Sequence, residues 1–546
     1  MNYETIYESN IKLTDPHRKT WELLHEETHD INNTITTLYN ENKDKLIDSK
    51  EVLPTPPNDA EKYSYLNSNR WALVILNLGT VFCQLLSLVF LASTSKYFYF
   101  YFVYLALSFL YLLINFGYSI IVGRDYSYLT HLEIFSKAKD LGYFPTVDVF
   151  LPICGESLQI LNNTWYYVQK LDYPNFKVHV LDDGAKDEVK SLAESYGFNY
   201  IRRDDRPKLK KAGNMRNAFN QTNGDFILVL DADFCPRTDM LKEIIPYMLD
   251  GTVGILQTPQ YFKVDDNQTW IEQGIAISQE VFYRFVQVNR NIFDAAICVG
   301  TSALYRRAAL EPLGGTAAVE HSEDVHTGLS VIKMGYKVRY IPIVLSCGCC
   351  PNTLKQYFNQ QYRWCFGSMG LSVSSTLWFS NLNIIQKIIY FSGMIFYLYT
   401  TVSIIFLPIS SMLIIYFAPN KAFYYNIYLS LPILFNGVFM RYWHVQRYTN
   451  NFIRVVNFQA YCYAFAIMDR LTLRHMPWIP TGNAKIAKNV RYVTVINVML
   501  LWSSLVFYIT VCGSIWRLQL YPYYHFLPTI FVSFYFYFHN LTFFAQ

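Results

Sequence analysis

Charged residues are scarce in this sequence. Only 16% of its 546 residues are Asp, Glu, Lys or Arg, well below the roughly 25% typical of soluble globular domains. Hydrophobic residues make up 52% of the chain and aromatic residues 17%. This shortage of charge excludes an entirely water-soluble protein and indicates that lipid solvates much of the chain. The net charge of +4 provides no broad basic surface, so nucleic acid is not expected as a partner.

Metal-binding cysteine pairs and a secretion signal are also missing. The ten cysteines include no C-x-x-C unit with a downstream His or Cys pair, which zinc sites require. Cys347, Cys349 and Cys350 cluster beside an apolar region, where reduced thiols without function or a soft-metal or acylation site remain alternatives. Residues 1–70 lack an apolar run after a basic start, so we expect the N-terminus to stay in the cytoplasm.

Long uncharged runs, by contrast, are frequent. A helix rises 1.5 Å per residue, so about 20 apolar residues cross the roughly 30 Å hydrocarbon core of a bilayer. Three predicted helical hairpins come from the runs 71–93, 97–123, 388–418, 422–440, 492–516 and 521–544. Run 388–418 contains Pro408, which leaves open one tilted helix or a short re-entrant pair.

The charged and β-rich stretches between these runs divide the chain. The predicted units are an N-terminal segment 1–70, hairpin 71–123, an α/β domain 124–350, interfacial helices 351–387, hairpin 388–440, a basic interfacial segment 441–491 and hairpin 492–546. Because positive residues concentrate in the α/β domain and in the basic segment, both are expected in the cytoplasm, together with both termini.

Acidic residues follow two predicted strands of the α/β domain. Strand 177–181 ends in Asp-Asp-Gly at 182–184, whose carboxylates could bind a nucleobase or ribose and whose glycine would permit a tight turn. An ordinary turn is the alternative. Strand 226–230 ends in Asp-Ala-Asp at 231–233. On an extended backbone, residues i and i+2 point the same way, so both carboxylates could face one divalent cation.

Three further motifs carry polar groups suited to a sugar nucleotide. Lys-Ala-Gly-Asn at 211–214 is predicted to open a phosphate-binding helix, unless it belongs to a solvated basic cluster. His-Ser-Glu-Asp at 321–324 supplies a catalytic base or merely helix-capping acids. Gln-Gln-Tyr-Arg-Trp at 360–364 combines an amide, a planar cation and a large aromatic ring. These groups could hold a sugar and its diphosphate, or they could simply pack in the protein interior.

The order of these five motifs between apolar hairpins resembles the processive family 2 glycosyltransferases typified by cellulose synthase. The resemblance covers roughly residues 70–546. It implies a GT-A-like α/β glycosyltransferase domain inserted in a multi-pass membrane domain, with about six transmembrane helices plus interfacial helices. It also implies a Mg²⁺ or Mn²⁺ cofactor.

The resemblance also implies roles for individual residues. Asp324 would be the general base, and Asp231 and Asp233 would hold the metal. Donor-nucleotide contacts would come from Asp182, Asp183, Lys211, Asp231, Gln360 and Arg363, and acceptor contacts from Trp364, Glu323 and Gly300. Trp-Ile-Pro-Thr-Gly at 478–482 lies where the family has a gating loop, with different letters. The segment Pro-Ile-Cys-Gly-Glu at 152–156 lacks the tyrosine that many relatives place there, and Phe234 stands where bacterial cellulose synthases commonly carry His.

The function implied is a plasma-membrane polymerase that builds a β-linked polysaccharide by inversion and exports it. Its partners would be a UDP-sugar donor, the growing polysaccharide and the lipid bilayer. The Ser-Glu-Asp-Val-His-Thr stretch at 322–327 favours UDP-glucose as the donor. A homo-oligomer or accessory export subunits stay open. The alternatives are a synthase using a UDP-GlcNAc-type donor, a nonprocessive lipid-directed glycosyltransferase, and a non-enzymatic transporter or channel.

Overall fold

The computed structural model describes residues 53–66, 70–114, 126–474 and 490–544. Some sequence predictions therefore lie outside the described residues. They are most of the N-terminal segment 1–70, the end of the second apolar run 97–123, and the loop at 478–482.

A seven-stranded sheet forms the centre of the α/β domain. Its strands are β1 Val147–Ile153, β2 Phe176–Asp182, β3 Asn199–Ile201, β4 Phe226–Val229, β6 Val253–Gln257, β7 Ala303–Arg306 and β8 Lys337–Tyr340, and a separate antiparallel pair joins β5 Cys235–Pro236 to β9 Ser346–Cys347. The order across the sheet is β3-β2-β1-β4-β7-β6-β8, and every pairing is parallel except the two made by β7. The predicted strands 177–181 and 226–230 are thus confirmed within one residue at each end.

Helices cover both faces of the sheet, as expected for a mostly parallel sheet. All seven residues of β1 are buried. The helices of this domain are Tyr128–Asp140, Leu158–Gln169, Asp187–Ser195, Lys210–Phe219, Met240–Ile244, Trp270–Val281, Gln287–Ile292, Arg307–Leu310 and Glu323–Lys333. The Lys-Ala-Gly-Asn and His-Ser-Glu-Asp motifs open Lys210–Phe219 and Glu323–Lys333, so polar site residues lie where helices begin beside the carboxyl ends of strands.

Apolar helices surround this domain. Three of the described helices are long and apolar enough to cross a membrane, namely Trp71–Ala92, Ile384–Phe417 and Arg491–Arg517. Side chains such as Ile75, Leu501 and Phe531 are each about two-thirds exposed on these and neighbouring helices, as lipid-facing residues would be. Helices Tyr101–Leu112, Ala422–Trp443 and Leu527–Phe544 complete the apolar set. They are shorter or richer in Asn, Tyr and His, so the predicted six spans are not confirmed.

The helix Ile384–Phe417 decides whether run 388–418 forms one helix or a re-entrant pair. It runs unbroken through Pro408 over 34 residues, which corresponds to about 51 Å at 1.5 Å per residue. A re-entrant pair is therefore wrong, and one long helix extends from the α/β domain into the apolar set.

The basic segment 441–491 contains a helix that packs within the protein. This helix, Asn451–Leu471, lies between Trp270–Val281, Leu354–Ser372 and Ile384–Phe417. Val455, Phe458 and Cys462 are buried in that contact. Apolar residues at helical spacing are thus used here for packing against other helices, and the expected place of the segment on a leaflet stays a prediction.

Candidate active site

A cavity of about 2200 Å³ begins beside the carboxyl ends of β2 and β4 and continues between the apolar helices. Predicted site residues that line it are Asp183, Lys211, Asp231, Asp233, Glu323, Asp324, Gln360, Arg363 and Trp364. Side chains of the apolar helices, among them Asn77, Gln84 and Ser403, line the same cavity. The fold therefore brings together motifs that are far apart in the sequence.

The Asp-Asp-Gly turn is held by its own first carboxylate. Asp182 is 1% exposed, and its oxygens accept hydrogen bonds from the backbone of Gly184 at 2.7 Å, from Lys186 N at 3.1 Å and from the Tyr200 hydroxyl at 2.8 Å. These bonds hold Asp182 as an organiser of the turn, and its expected contact with a nucleotide stays a prediction.

The glycine of this turn has a different role from the one expected. The left-handed residue is Ala185, with φ of 56°. A Cβ on Gly184 would lie 3.0 Å from the backbone nitrogen of Gly155. Gly184 is therefore needed because the ends of β1 and β2 approach closely, not because of its backbone angles.

Arg203, which the sequence motifs did not reveal, joins the turn to the next motif. Its guanidinium donates two bonds to Asp183, each 2.7 Å long, and further bonds to the carbonyl oxygens of Lys208 and Lys210. The side chain is 1% exposed. Such a forked, buried bridge fixes the turn after β2 against the start of the helix Lys210–Phe219. An arginine shortly after β3 was the only sequence signal.

Lys211 lies at the centre of the acidic cluster. Its ammonium donates to Asp231 Oδ1 and, at 2.9 Å, to the carbonyl oxygen of Gly300. Burial alone would lower the pKa of Lys211, but the charges of Asp231, Glu323 and Asp324 outweigh it and raise the pKa above its ordinary value. Lys211 therefore stays cationic beside the cavity.

A turn, and not a strand, brings Asp231 and Asp233 together. The backbone nitrogen of Phe234 donates to the carbonyl oxygen of Asp231 at 3.1 Å, because the chain leaves β4 at Val229. Burial first, and the charge of Asp231 second, raise the pKa of Asp233 to about 7. Asp231 and Asp233 are thus close together as predicted, but the turn after β4 brings them together and not an extended backbone.

Asp231 and Asp233 could bind a divalent cation if a bound substrate supplied further ligands. Two carboxylates repelling each other in a buried site are stabilised by a hard cation, which prefers oxygen ligands. Among the described residues, no group of three or more His, Cys, Asp and Glu side chains could hold a metal by itself. Further ligands would have to come from donor phosphates, as is usual for Mg²⁺.

Asp324 lies in the first turn of the helix Glu323–Lys333, close enough to Lys211 for their charges to interact. Its Oδ1 accepts a bond of 2.8 Å from the backbone nitrogen of Val325. Burial, followed by the charge of Glu323, raises the pKa of Asp324 to about 7. A carboxyl group with this pKa can take up a proton near neutral pH.

Gly300 packs directly against the side chain of Asp324. Its φ is +77°, and a Cβ there would lie 3.0 Å from both Cβ and Oδ2 of Asp324. Its carbonyl oxygen accepts from Lys211. These contacts place Gly300 directly against Asp324 and Lys211, and its expected contact with an acceptor stays a prediction.

Gln257 holds the loop that contains Gly300, and no sequence motif indicated it either. It is fully buried and bonds to Val299 N at 2.9 Å and to Thr301 O at 2.8 Å. The hydroxyl of Thr301 in turn accepts from Asp231 N at 2.8 Å. A glutamine that ends an otherwise apolar strand was the available signal.

The Gln-Gln-Tyr-Arg-Trp motif lies on the helix Leu354–Ser372, and its half-buried Gln360, Arg363 and Trp364 reach the cavity. Burial lowers the pKa of Arg363, whereas the charges of Glu323, Asp231 and Asp324 act in the opposite direction. The guanidinium therefore faces the acidic cluster across the cavity.

The α/β domain matches a known protein family. Residues 148–314 match the model of glycosyl transferase family 2. That segment contains β1 to β7 and the motifs from Asp182 to Gly300, and its mostly parallel sheet is of the GT-A-like α/β type.

Sequence relatives are cellulose synthases. The UDP-forming cellulose synthase catalytic subunit of Pseudomonas fluorescens is 34% identical over 271 residues, which are 48% of this chain and 36% of that protein. The UDP-forming cellulose synthase 1 catalytic subunit of Komagataeibacter xylinus is 34% identical over 284 residues, 51% of this chain and 38% of that protein. The chain thus spans little more than a third of the length of these curated relatives.

Among solved structures, a mannosyltransferase from Pyrobaculum calidifontis in complex with GDP-Man and Mn²⁺ is 17% identical. The match covers 68% of this chain and 99% of that chain, with a TM-score of 0.43.

Proposed function

We propose that this chain, which resembles cellulose synthase catalytic subunits and carries a family 2 glycosyl transferase match at 148–314, is a processive inverting glycosyltransferase. It polymerises a β-linked glucan from UDP-glucose and exports it. The observation that carries the proposal is the continuity of the cavity from the acidic cluster of Lys211, Asp231 and Asp324 to the polar side chains between the apolar helices.

Asp324 is the general base of this reaction. It accepts the proton of the acceptor hydroxyl while that oxygen attacks the anomeric carbon, and the UDP leaving group departs from the opposite face. Attack from that side converts an α-linked donor into a β-linkage. A raised pKa suits this role because proton transfer is most efficient when the pKa of the base lies near the working pH.

Asp183, Lys211 and Arg363 bind the donor. Asp183 contacts the nucleotide from the turn that Arg203 fixes, and the two cations neutralise the diphosphate. Asp231 and Asp233 hold Mg²⁺ or Mn²⁺, which when bound supplies positive charge to the diphosphate as it leaves. Gln360 closes the donor site from the other side of the cavity.

Trp364 and Glu323 bind the acceptor end of the polymer. An indole ring offers an apolar face on which a sugar ring can stack. Trp364 shares a helix face with Gln360 and Arg363, so the acceptor hydroxyl lies beside the donor.

The membrane arrangement is part of the proposal. The domains follow the division derived from the sequence, with six spans, the catalytic domain and both termini in the cytoplasm. Support comes from the exposed apolar side chains of Trp71–Ala92, Ile384–Phe417 and Arg491–Arg517. The polymer leaves along the cavity, where hydroxyl and amide groups replace its hydration.

Donor selection tests the proposal against its alternatives. Purified protein with Mg²⁺ is incubated separately with UDP-glucose and UDP-GlcNAc, and released UDP is measured together with the linkage and length of the product. Long β-linked glucan from UDP-glucose supports the proposal. A polymer only from UDP-GlcNAc, a single transferred sugar, or no released UDP would each establish one of the competing functions.

A further inference from the structure

The motif helix Leu354–Ser372 has two polar faces. Gln360, Arg363 and Trp364 are spaced i, i+3 and i+4, so they share the face that lines the cavity. Each residue advances about 100° around a helix of 3.6 residues per turn. Gln361 and Tyr362 lie off the centre of that face, and both contact the helix Asn451–Leu471. Gln361 also reaches the wall of the cavity, together with Gln459 and Tyr463, whereas Tyr362 does not line it.

Gln361 makes the first attachment. The residue is 1% exposed, and its Oε1 accepts a bond of 3.0 Å from Gln459 Nε2 and a bond of 2.8 Å from the hydroxyl of Tyr463. Its own Nε2 lies 3.4 Å from Oε1 of Gln360 and donates to it. A buried chain of amides thus connects the helix Asn451–Leu471 to a side chain in the cavity.

Tyr362 makes the second attachment. Its hydroxyl donates to Asp469 Oδ2 at 2.9 Å. The other oxygen of Asp469 pairs with Arg491, and Asp469 itself is 2% exposed. Burial and the charge of Asp469 raise the pKa of Tyr362, so the hydroxyl keeps its proton and stays a donor.

These polar contacts lie inside an interface that is otherwise aromatic and apolar. Tyr357 stacks near Phe458 across the interface with ring centroids 6.2 Å apart, and within the motif helix Tyr362 stacks on Phe366 at 5.9 Å. Apolar packing alone would hold the two helices together but would allow small shifts along their axes. Buried hydrogen bonds are directional and costly to break, so they fix one relative position.

We propose that Gln361 and Tyr362 are positioning residues, through which the helix Asn451–Leu471 holds Gln360, Arg363 and Trp364 in register with the acids across the cavity. The proposal deepens the proposed function and rests on it for its catalytic consequence. Asp469 does not line the cavity, so its bond to Tyr362 acts through the motif helix. A misplacement of about 1 Å at such a distance can cost about 100-fold in rate.

Two variants remove the attachments without removing volume. Gln361→Met deletes the acceptor oxygen, and Tyr362→Phe deletes the hydroxyl. Tyr173→Phe is the matched control, because it removes a buried hydroxyl that donates to Pro145 O at 2.8 Å away from both helices. The expected result is a fall in kcat of about tenfold or more in both variants, with the KM for UDP-glucose within about threefold of wild type. The control keeps wild-type kcat at a similar thermal midpoint.

A second measurement decides the proposal even if no UDP-sugar is turned over. The protein is labelled with 5-fluorotryptophan, and the ¹⁹F resonance of Trp364 is assigned by its loss in Trp364→Phe. Positioning predicts that this resonance shifts or broadens in Gln361→Met and Tyr362→Phe but not in Tyr173→Phe. An unchanged resonance, or a kcat equal to that of the control, would overturn the positioning role. Absence of turnover by wild-type protein would refute the proposed function alone.

Discussion

The acid at position 324 differs from ordinary helix-capping acids in its surroundings. Asp187 also lies in the first turn of a helix, but its side chain is 96% exposed. Asp324 is packed against the backbone of Gly300 and next to Glu323, which together with burial raises its pKa. The difference between these two aspartates is therefore a difference in desolvation and neighbouring charge.

We predict that Asp324→Asn lowers polymer formation by at least about 100-fold, the usual contribution of a general base. UDP affinity should stay within about threefold of wild type, because the base acts on the acceptor. Turnover with UDP-glucose and binding of UDP are measured on the same protein. Asp187→Asn is the control, and wild-type turnover in Asp324→Asn would remove this residue from the base role.

The pH dependence of kcat/KM follows from the same acids. The pKa values of Asp233 and Asp324 are both raised to about 7. Each is needed as a carboxylate, so activity should be full above this pH and should fall as the pH drops through about 7. Added Mg²⁺ should restore part of the loss by competing with the proton at Asp233. A flat profile between about pH 5 and 8 would contradict both raised values.

Trp364→Ala should lower polymer yield and chain length about tenfold or more while UDP affinity stays nearly unchanged. Stacking of an aromatic ring contributes about 1 kcal/mol, and misplacement of the attacking hydroxyl adds a further loss. The yield is measured from UDP-glucose in reconstituted vesicles. Normal polymer from this variant would argue against an acceptor role, and loss of folded protein would identify Trp364 as a packing residue.

At the scale of elements, the regular parts of the site were predictable and the turns were not. Strand β4 is a continuous apolar run, β2 is rich in apolar residues, and the Lys-Ala-Gly-Asn motif opens Lys210–Phe219. Composition and motif therefore identified these elements. The expected role of Gly184 was wrong because it depends on the close approach of Gly155, and the bonds that hold Asp182 depend on Tyr200. Those partners lie on other elements, and sequence spacing alone does not reveal such contacts.

Sequence spacing also failed to reveal two residues that hold loops of the site and belong to no motif. Arg203 and Gln257 do not face the substrate, and their importance comes from bonds to Asp183 and to the Gly300 loop. A lone arginine after a short strand or a glutamine at a strand end has many ordinary explanations. Only the assembled fold shows that they hold site loops in place.

Arg203→Lys tests how strongly one such bridge connects two elements. Lysine keeps the charge but loses the forked geometry, so the turn after β2 and the helix Lys210–Phe219 should separate slightly. We expect the free energy of unfolding to fall by about 2 kcal/mol, the value typical of hydrogen bonds to charged groups. The KM for UDP-glucose should rise severalfold.

Thermal denaturation and initial rates measure these two effects. Arg202→Lys provides the control, because the Arg202 side chain is 44% exposed and lies 3.8 Å from the exposed Asp187. If Arg203→Lys and Arg202→Lys have equal stability and equal KM, the bridge has no positioning effect.

At the scale of the whole molecule, the chain combines a polar α/β domain with a set of long apolar helices. The low charge content by itself predicts lipid contact, and the exposed apolar side chains of the long helices agree with that prediction. The number of spans was harder to predict, because Ala422–Trp443 and Leu527–Phe544 carry polar side chains that lower their hydropathy. Such groups are tolerated in a membrane helix when they face a polar cavity or another helix.

Synthesis at the acidic cluster and passage of the polymer along the cavity are, in our proposal, the work of one chain. This claim is tested most directly in sealed vesicles that contain the purified protein with its catalytic domain outside. Radiolabelled UDP-glucose and Mg²⁺ are added outside, and the product is digested with a β-glucanase before and after detergent is added. We expect long labelled glucan that resists the enzyme until detergent opens the vesicles. Glucan that is digested fully without detergent, or labelled donor that releases no UDP, would contradict the claim.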